Sequence, residues 1–148
     1  MSIQDILKLK TIAVVGISRD PAKPSREVAE YLKAHGKRII PVNPSAGEIL
    51  GEKCFPSLLE IPEGLAREIE VVDIFRPSHD VPSIVEQAIE LKKRFGRLRA
   101  VWMQLGIVNE GAAAKAREAG LEVVMDRCMK IEHRRLMGTG GKVINECG

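Results

Sequence analysis

Short apolar runs rich in β-branched residues alternate along the chain with stretches of helical period, and the pair repeats about every 30 residues. The runs at 11–15, 38–42, 70–75, 100–103 and 121–125 predict five strands. The third, Glu70-Val-Val-Asp-Ile-Phe75, is nearly continuous in apolar character, as a parallel strand covered on both faces should be. Between them, Val28, Tyr31 and Leu32 share one stripe of a predicted helix over 25–35 that stops at Gly36. Ile84, Ala88, Leu91 and Phe95 do the same over 82–95, closed by Gly96. Asn109 is placed to cap an alanine-rich helix ending near Gly120. A short helix follows the capping-box pattern Ser2-x-x-Asp5, and a last one is predicted at 130–136. The segment 45–62, with Gly47, Gly51, Pro56 and Pro62, reads as a small hairpin and a helical turn around 57–60.

Regular alternation of strand and helix implies right-handed βαβ units. The expected fold class is therefore α/β: a single doubly wound domain with a mainly parallel five-stranded sheet and helices on both faces. The domain is expected over 1–137, with a mobile polar tail over 138–148. At 148 residues, 45% hydrophobic and 29% charged, the chain suits one soluble domain and has no apolar run long enough to cross a bilayer. The start of the chain lacks a basic stretch followed by an apolar one, so the cytoplasm is the expected compartment. The net charge of +3 is dispersed along helices, which argues against a nucleic-acid surface. Cys54, Cys128 and Cys147 are three, far apart and without C-x-x-C spacing, which points to neither a disulfide framework nor a metal site.

In open α/β sheets, ligands bind beyond the carboxyl ends of the strands. The first such end, Gly16-Ile-Ser-Arg-Asp-Pro-Ala-Lys-Pro-Ser25, is a phosphate cradle in form. Gly16 allows a sharp turn and close approach, Ile17 and Ser18 offer backbone N–H groups and a hydroxyl, Arg19 and Lys23 carry positive charge, and a helix begins at Pro24-Ser25. It lacks the further glycines of G-x-G-x-x-G. The second strand ends in Val42-Asn43-Pro44, where an NAD site would carry Asp or Glu for the ribose. Asn43, with Arg38, Arg19 and Lys23 in the vicinity, suits a nucleotide bearing an extra phosphate better than NAD; Asn43 serves equally well as a turn residue. The remaining ends are Phe75-Arg76-Pro77-Ser78, Gln104-Leu105-Gly106 and Asp126-Arg127-Cys128.

None of His35, His79 and His133 has metal-ligand spacing or a glycine-rich setting for phosphoryl transfer. His35 falls at a helix end, His79 is a candidate to line the site after the third strand, and His133 is read as an exposed helix residue. A reactive Cys128 is conceivable beside Arg127, but a small buried residue is the preferred reading. Trp102 is read as core. No catalytic residue is assigned.

Several pieces together resemble the small CoA-binding proteins, similar to the Rossmann-like CoA-binding domain of the succinyl-CoA synthetase α subunit. They are Val15-Gly-Ile-Ser18 with Asp20-Pro21 and Pro24-Ser25, Pro41-Val-Asn-Pro44, Val72-Asp-Ile-Phe-Arg76, Trp102-Met-Gln-Leu-Gly106, Asn109-Glu110, Ala119-Gly120 and Val123-Val-Met-Asp-Arg-Cys128 with Glu132. The resemblance spans residue 11 to about 136 and implies coenzyme A or an acyl-CoA as the ligand. The first loop would hold the diphosphate, Val42 to Pro44 and Phe75 to Pro77 would border the adenosine, and Gln104 to Gly106 would lie near the pantetheine arm. Arg76 is preferred to Arg38 for the 3′-phosphate. The chain is too short for the ligases' phosphohistidine domain and ATP-grasp partner, so a stand-alone non-catalytic CoA-binding module is expected, with a homo-oligomer or a protein partner possible. A CoA-binding subunit whose catalytic histidine and ATP site lie on another chain, and an NAD(H)-binding regulator, are the alternatives.

Overall fold

The computed structural model describes residues 1–45 and 47–137. In chain order the elements are α1 (Ile3–Leu7), β1 (Thr11–Val15), α2 (Pro24–Ala34), β2 (Arg38–Val42), the hairpin β3 (Glu48–Ile49) and β4 (Glu52–Lys53), α3 (Glu63–Ala66), β5 (Val71–Ile74), α4 (Val81–Phe95), β6 (Ala100–Met103), α5 (Glu110–Glu118), β7 (Glu122–Val124) and α6 (Met129–Leu136). A 3-10 turn at Leu58–Glu60 follows the hairpin, and another at Ser78–Asp80 precedes α4. The expected strands and helices form to within a residue or two. The exception is α3, whose four residues behind Pro62 are too few to show a helical period. The tail expected to be mobile lies outside the described residues.

The five long strands are all parallel, in the order β2-β1-β5-β6-β7. Alternate strand residues enter two separate cores. Ala13, Val15, Val72, Ile74, Val101 and Met103 pack against α4 and α5, whereas Ile12, Val14, Val71, Ala100 and Trp102 pack against α1, α2 and α6. This two-sided burial explains the fully buried and nearly continuous apolar runs of β1, β5 and β6. Pro41 is tolerated because β2 is the outermost strand of the sheet. Its exposed edge is covered where the chain folds back from the hairpin: Phe55 N–H donates to Pro41 O at 3.1 Å, and Asn43 N–H to Phe55 O at 2.9 Å.

Register positions the site. Val42, Val15, Ile74 and Met103 lie in one row across the sheet, so the chain leaves four neighbouring strands at one level. The residues one step on are Asn43, Gly16, Phe75 and Gln104. No helix of the described residues is long and apolar enough to cross a membrane.

Helix α6 is held against α2 by a cluster that sequence reading missed. The Tyr31 hydroxyl and His133 Nδ1 are 2.9 Å apart, the Tyr31 and His35 rings are 4.0 Å apart between centroids, and Lys130 Nζ pairs with Glu27 at 3.0 Å. His133, expected on an exposed helix face, is buried at 8% exposure because α6 turns that face onto α2. Burial, reinforced by the charge of Lys37 and by His35, pushes its pKa down from 6.5 to about 4. The neutral imidazole shares a hydrogen bond with the Tyr31 hydroxyl through Nδ1.

Because the unfolded chain binds a proton on this histidine at higher pH than the folded one does, its contribution is complete above about pH 6.5 and falls away toward pH 4. The urea midpoint of the parent should therefore drop relative to that of His133→Gln as the pH is lowered across this window. Parallel pH profiles for the two proteins would show that His133 does not titrate differently on folding.

Candidate functional site

Gly16 ends β1 with φ of 91°, a conformation that side chains disfavour. A Cβ built there would lie 2.9 Å from Arg76 Cδ and 3.1 Å from the backbone carbonyl carbon of Phe75. The loops after β1 and β5 thus meet at a contact tighter than a side chain at this position would ordinarily find. Gly16 N–H still donates to Val42 O (2.9 Å), and Phe75 N–H to Val15 O (2.8 Å), so the sheet's ladder runs up to the point of departure.

Beyond Gly16 the loop organises itself. Ser18 N–H donates to Ser25 Oγ (2.9 Å), Asp20 N–H to Ser18 Oγ (3.0 Å) and Ala22 N–H to Asp20 Oδ1 (2.9 Å). Ile17 is fully buried and anchors the loop in the core. These bonds use the acceptor sides of both serine hydroxyls and leave their O–H groups to donate outward. Among the described residues, the N–H groups of Ile17, Arg19 and Ser25 have no acceptor within bonding distance. Lys23 is the N-cap of α2 and Pro24 its first residue. Donors, a cation and a helix N-terminus converge, which is the composition of an anion site.

Asn43 has a structural task. Its Nδ2 donates to Ile17 O at 2.8 Å and its Oδ1 accepts from Ser45 N–H at 2.7 Å, so the side chain forms a turn and fastens the β1 loop to the end of β2. Arg38 begins β2, opposite Thr11, about 13 Å from Val42 at the ordinary rise of a strand. It lies at the amino edge of the sheet and cannot serve this site. Arg76 does border it, paired with Asp80 at 2.9 Å.

Asp73 was passed over in the sequence because it sits inside an apolar run. It is completely buried on the α2 and α6 side of β5, and accepts from Gln104 Nε2 at 2.7 Å, while its Oδ2 has no partner. Gln104 in turn accepts from Met129 N–H at 3.3 Å, which links β5, β6 and the first turn of α6. Burial pushes the Asp73 carboxyl from 3.8 up to about 7, a rise that the Gln104 hydrogen bond partly opposes.

Two cavities open at this edge and share Gly16. The larger, about 480 Å³, lies between α2, the β6–α5 loop and α6, and is walled by Gly16, Ser18, Lys23, Pro24, Ser25, Phe75, Gln104 and Leu105, with Val28, Ile107, Cys128 and Ile131. The smaller, about 260 Å³, is bordered by Gly16, Val42, Pro44 and Arg76, together with Pro56, Ser57, Asp80 and Gln87. Of the residues singled out from sequence, Ile17, Arg19, Asn43, Pro77 and Gly106 line neither cavity. Ile17 and Asn43 support the loop, and the exposed Arg19 accepts Arg26 Nη1 on its carbonyl. Pro77 precedes the 3-10 turn, and Gly106 N–H donates to Asp126 Oδ1 at 2.7 Å.

Cys128 is half-buried in the cavity wall rather than enclosed in the core. His79 is exposed and lines neither cavity, whereas Trp102 is core, its indole N–H donating to Arg127 O at 2.7 Å. Pro56, Ser57 and Gln87 were invisible in sequence: the fold-back of the hairpin segment brings the first two beside β2, and α4 carries Gln87, whose Oε1 accepts from Leu58 N–H at 3.1 Å, to meet them. Val28 alone carried a signal, lying one helical turn beyond Ser25.

The architecture is a Rossmann-like nucleotide-binding class, a parallel sheet with a phosphate-type loop after its first strand. Residues 10–134 match the family model described as a CoA binding domain, and the chain belongs to that family. It is 39% identical to the protein YneT of Bacillus subtilis over 132 residues, covering 88% of this chain and 91% of that one. It is 34% identical over 111 residues to ADP-forming acetate–CoA ligase II of Archaeoglobus fulgidus, a match covering 74% of this chain but only 15% of the ligase. Among solved structures, a protein of Pyrococcus horikoshii OT3 superposes with a TM-score of 0.82 at 42% identity, covering 93% of this chain and 94% of that one.

Two outcomes test the site's physical basis. Gly16→Ala should lower the unfolding free energy by about 1–3 kcal/mol in urea titration, through strain at positive φ and the Phe75 contact; an unchanged midpoint would contradict the close approach. For Asp73, the raised folded pKa means that stability declines as pH rises from about 4 to 7 and then levels. Asp73→Asn should therefore be more stable than the parent at pH 8, by up to about 4 kcal/mol, with the advantage shrinking toward pH 4. An advantage independent of pH would mean that Asp73 titrates normally.

Proposed function

We propose that the protein binds coenzyme A or an acyl-CoA as a stand-alone non-catalytic module. The observation that carries this reading is the pair of cavities that share Gly16, with Ser18, Lys23 and Ser25 in the wall of the larger one. A nucleotide with a long arm needs such a division. Its diphosphate rests on Ser18, Lys23 and Ser25 at the start of α2. Its adenosine enters the smaller cavity beside Val42 and Pro44, and its pantetheine arm follows Phe75, Gln104 and Leu105 along the larger one. Arg76 reaches the 3′-phosphate by sharing its guanidinium with Asp80.

NAD fits less well. The end of β2 carries Asn43 where a carboxylate would hold the ribose, and both ends of that amide are already committed. The match to acetate–CoA ligase II supports a second reading, a CoA-binding subunit whose catalytic histidine and ATP site lie on a partner chain. The histidines of this chain do not supply that role, since His35 and His133 belong to the α2–α6 contact and the exposed His79 lines neither cavity.

Calorimetric titration with CoA, dephospho-CoA, acetyl-CoA and NAD separates these cases. CoA should bind more tightly than dephospho-CoA, by a margin that Arg76→Ala removes, and NAD should show no measurable heat. Lys23→Ala should weaken CoA binding roughly tenfold or more, the worth of a charge-assisted phosphate contact, without shifting the unfolding midpoint. Binding of NAD equal to that of CoA would overturn the assignment, and a requirement for a second protein before CoA binds would favour the ligase subunit.

A further inference from the structure

The larger cavity changes character along its length. At the α2 end it presents serine hydroxyls and Lys23; at the far end its walls are Leu105, Ile107 and Ile131, with the Cys128 thiol between. Among the described residues, no charged side chain lines that far end. The one polar side chain on the way, Gln104, has its Nε2 engaged by Asp73 and its Oε1 by Met129 N–H. Leu105 is 65% exposed and Ile131 48%, two of the five large apolar side chains exposed among the described residues. Apolar surface gathered on a concave rim marks a place where an apolar group is taken out of water.

We propose that this end of the cleft receives the hydrocarbon chain of an acyl thioester, so that the preferred ligand is a CoA ester of an unbranched monocarboxylic acid rather than free CoA or a dicarboxylic ester. The proposal rests on the CoA reading above, which directs the arm of the ligand away from Lys23 and toward Leu105. An alkyl chain continuing from the thioester meets Ile107 and Ile131 and covers the exposed leucine. A terminal carboxylate, as in succinyl-CoA, would be desolvated there without a cation to pair with. Selectivity then follows from what the wall lacks as much as from what it offers.

The test is a calorimetric series of CoA, acetyl-, butyryl-, hexanoyl- and succinyl-CoA on the full chain. Each methylene fully removed from water is worth roughly fourfold in affinity, and an open cleft should return a part of that. The expected result is a rise of about tenfold or more from acetyl- to hexanoyl-CoA, with succinyl-CoA weaker than butyryl-CoA. The slope against chain length should flatten in Ile131→Asn and return in Ile131→Leu; because Ile131 is half-exposed, neither change should disturb folding. Affinity independent of chain length, with CoA itself bound, overturns the acyl proposal and leaves the CoA reading standing. Absence of binding by every member of the series removes the CoA reading as well. A concentration-dependent dimer in sedimentation that Ile131→Asn dissolves, with no chain-length effect, assigns the apolar rim to a second copy of the chain and likewise overturns the proposal.

Discussion

A Cβ at Gly16 would stand 3.1 Å from the carbonyl carbon of Phe75 and 2.9 Å from Arg76 Cδ, closer than packed side chains ordinarily approach, and much of this edge of the molecule is arranged around that contact. Parallel pairing of β1 with β5 places Val15 opposite Ile74, so their successors emerge side by side and compete for the same space. The positive φ at Gly16 turns the backbone aside and lets the Arg76 stem cross over it. The contact thereby forms the partition at which two cavities meet, one toward α6 and one toward the hairpin segment. A side chain at this position would alter the phosphate-type loop, the lie of Arg76 and the passage between the cavities together.

Around this partition, polar bonds do the positioning while apolar packing supplies the stability. Asn43 fastens the first loop to β2, and Gln104 fastens β6 to the start of α6. Asp73 orients Gln104 from beneath, at the expense of a buried carboxyl with one unmatched oxygen. Such a group costs stability when charged, and its retention is consistent with a role in holding the cleft's floor in one arrangement. On the other side of α6, the Tyr31 and His133 pair fixes the helix that carries Ile131 into the cavity wall. With the Asp73 carboxyl pushed up by burial and the His133 imidazole pushed down by it, the two groups bias stability in opposite senses below neutral pH and oppose each other in the parent.

How far these features were legible in the sequence depended on whether they were local. The strands at 11–15, 38–42 and 100–103 were readable to the residue because their runs are apolar on both faces, and Gly16 and Asn43-Pro44 mark the ends of the first two. The Ser2 and Asn109 caps were readable because capping spans three residues. Arg38 was misplaced because closeness in sequence to Asn43 says nothing about which end of a strand a side chain occupies. His133 was misread because the burial of a helix face depends on its partner helix, here α2, a hundred residues away in the chain. Asp73 was hidden by its apolar neighbours, since a buried carboxylate looks like noise in a hydrophobic run until its partner Gln104 is seen.

By itself, the sequence determined the parallel α/β architecture, the glycine turn after the first strand and the set of strand ends from which any site had to be built. Hydrophobic period and turn chemistry are properties of short windows, and they survive without knowledge of the fold. Tertiary structure alone decided that Gly16 lines two cavities, that Asn43 acts as a clamp, that Arg38 lies at the opposite edge of the sheet, and that Cys128 and Ile131 stand in the wall of the cleft. Those facts arise from strand order and register, which bring residues tens of positions apart to one level of one sheet edge, and no local pattern encodes that meeting.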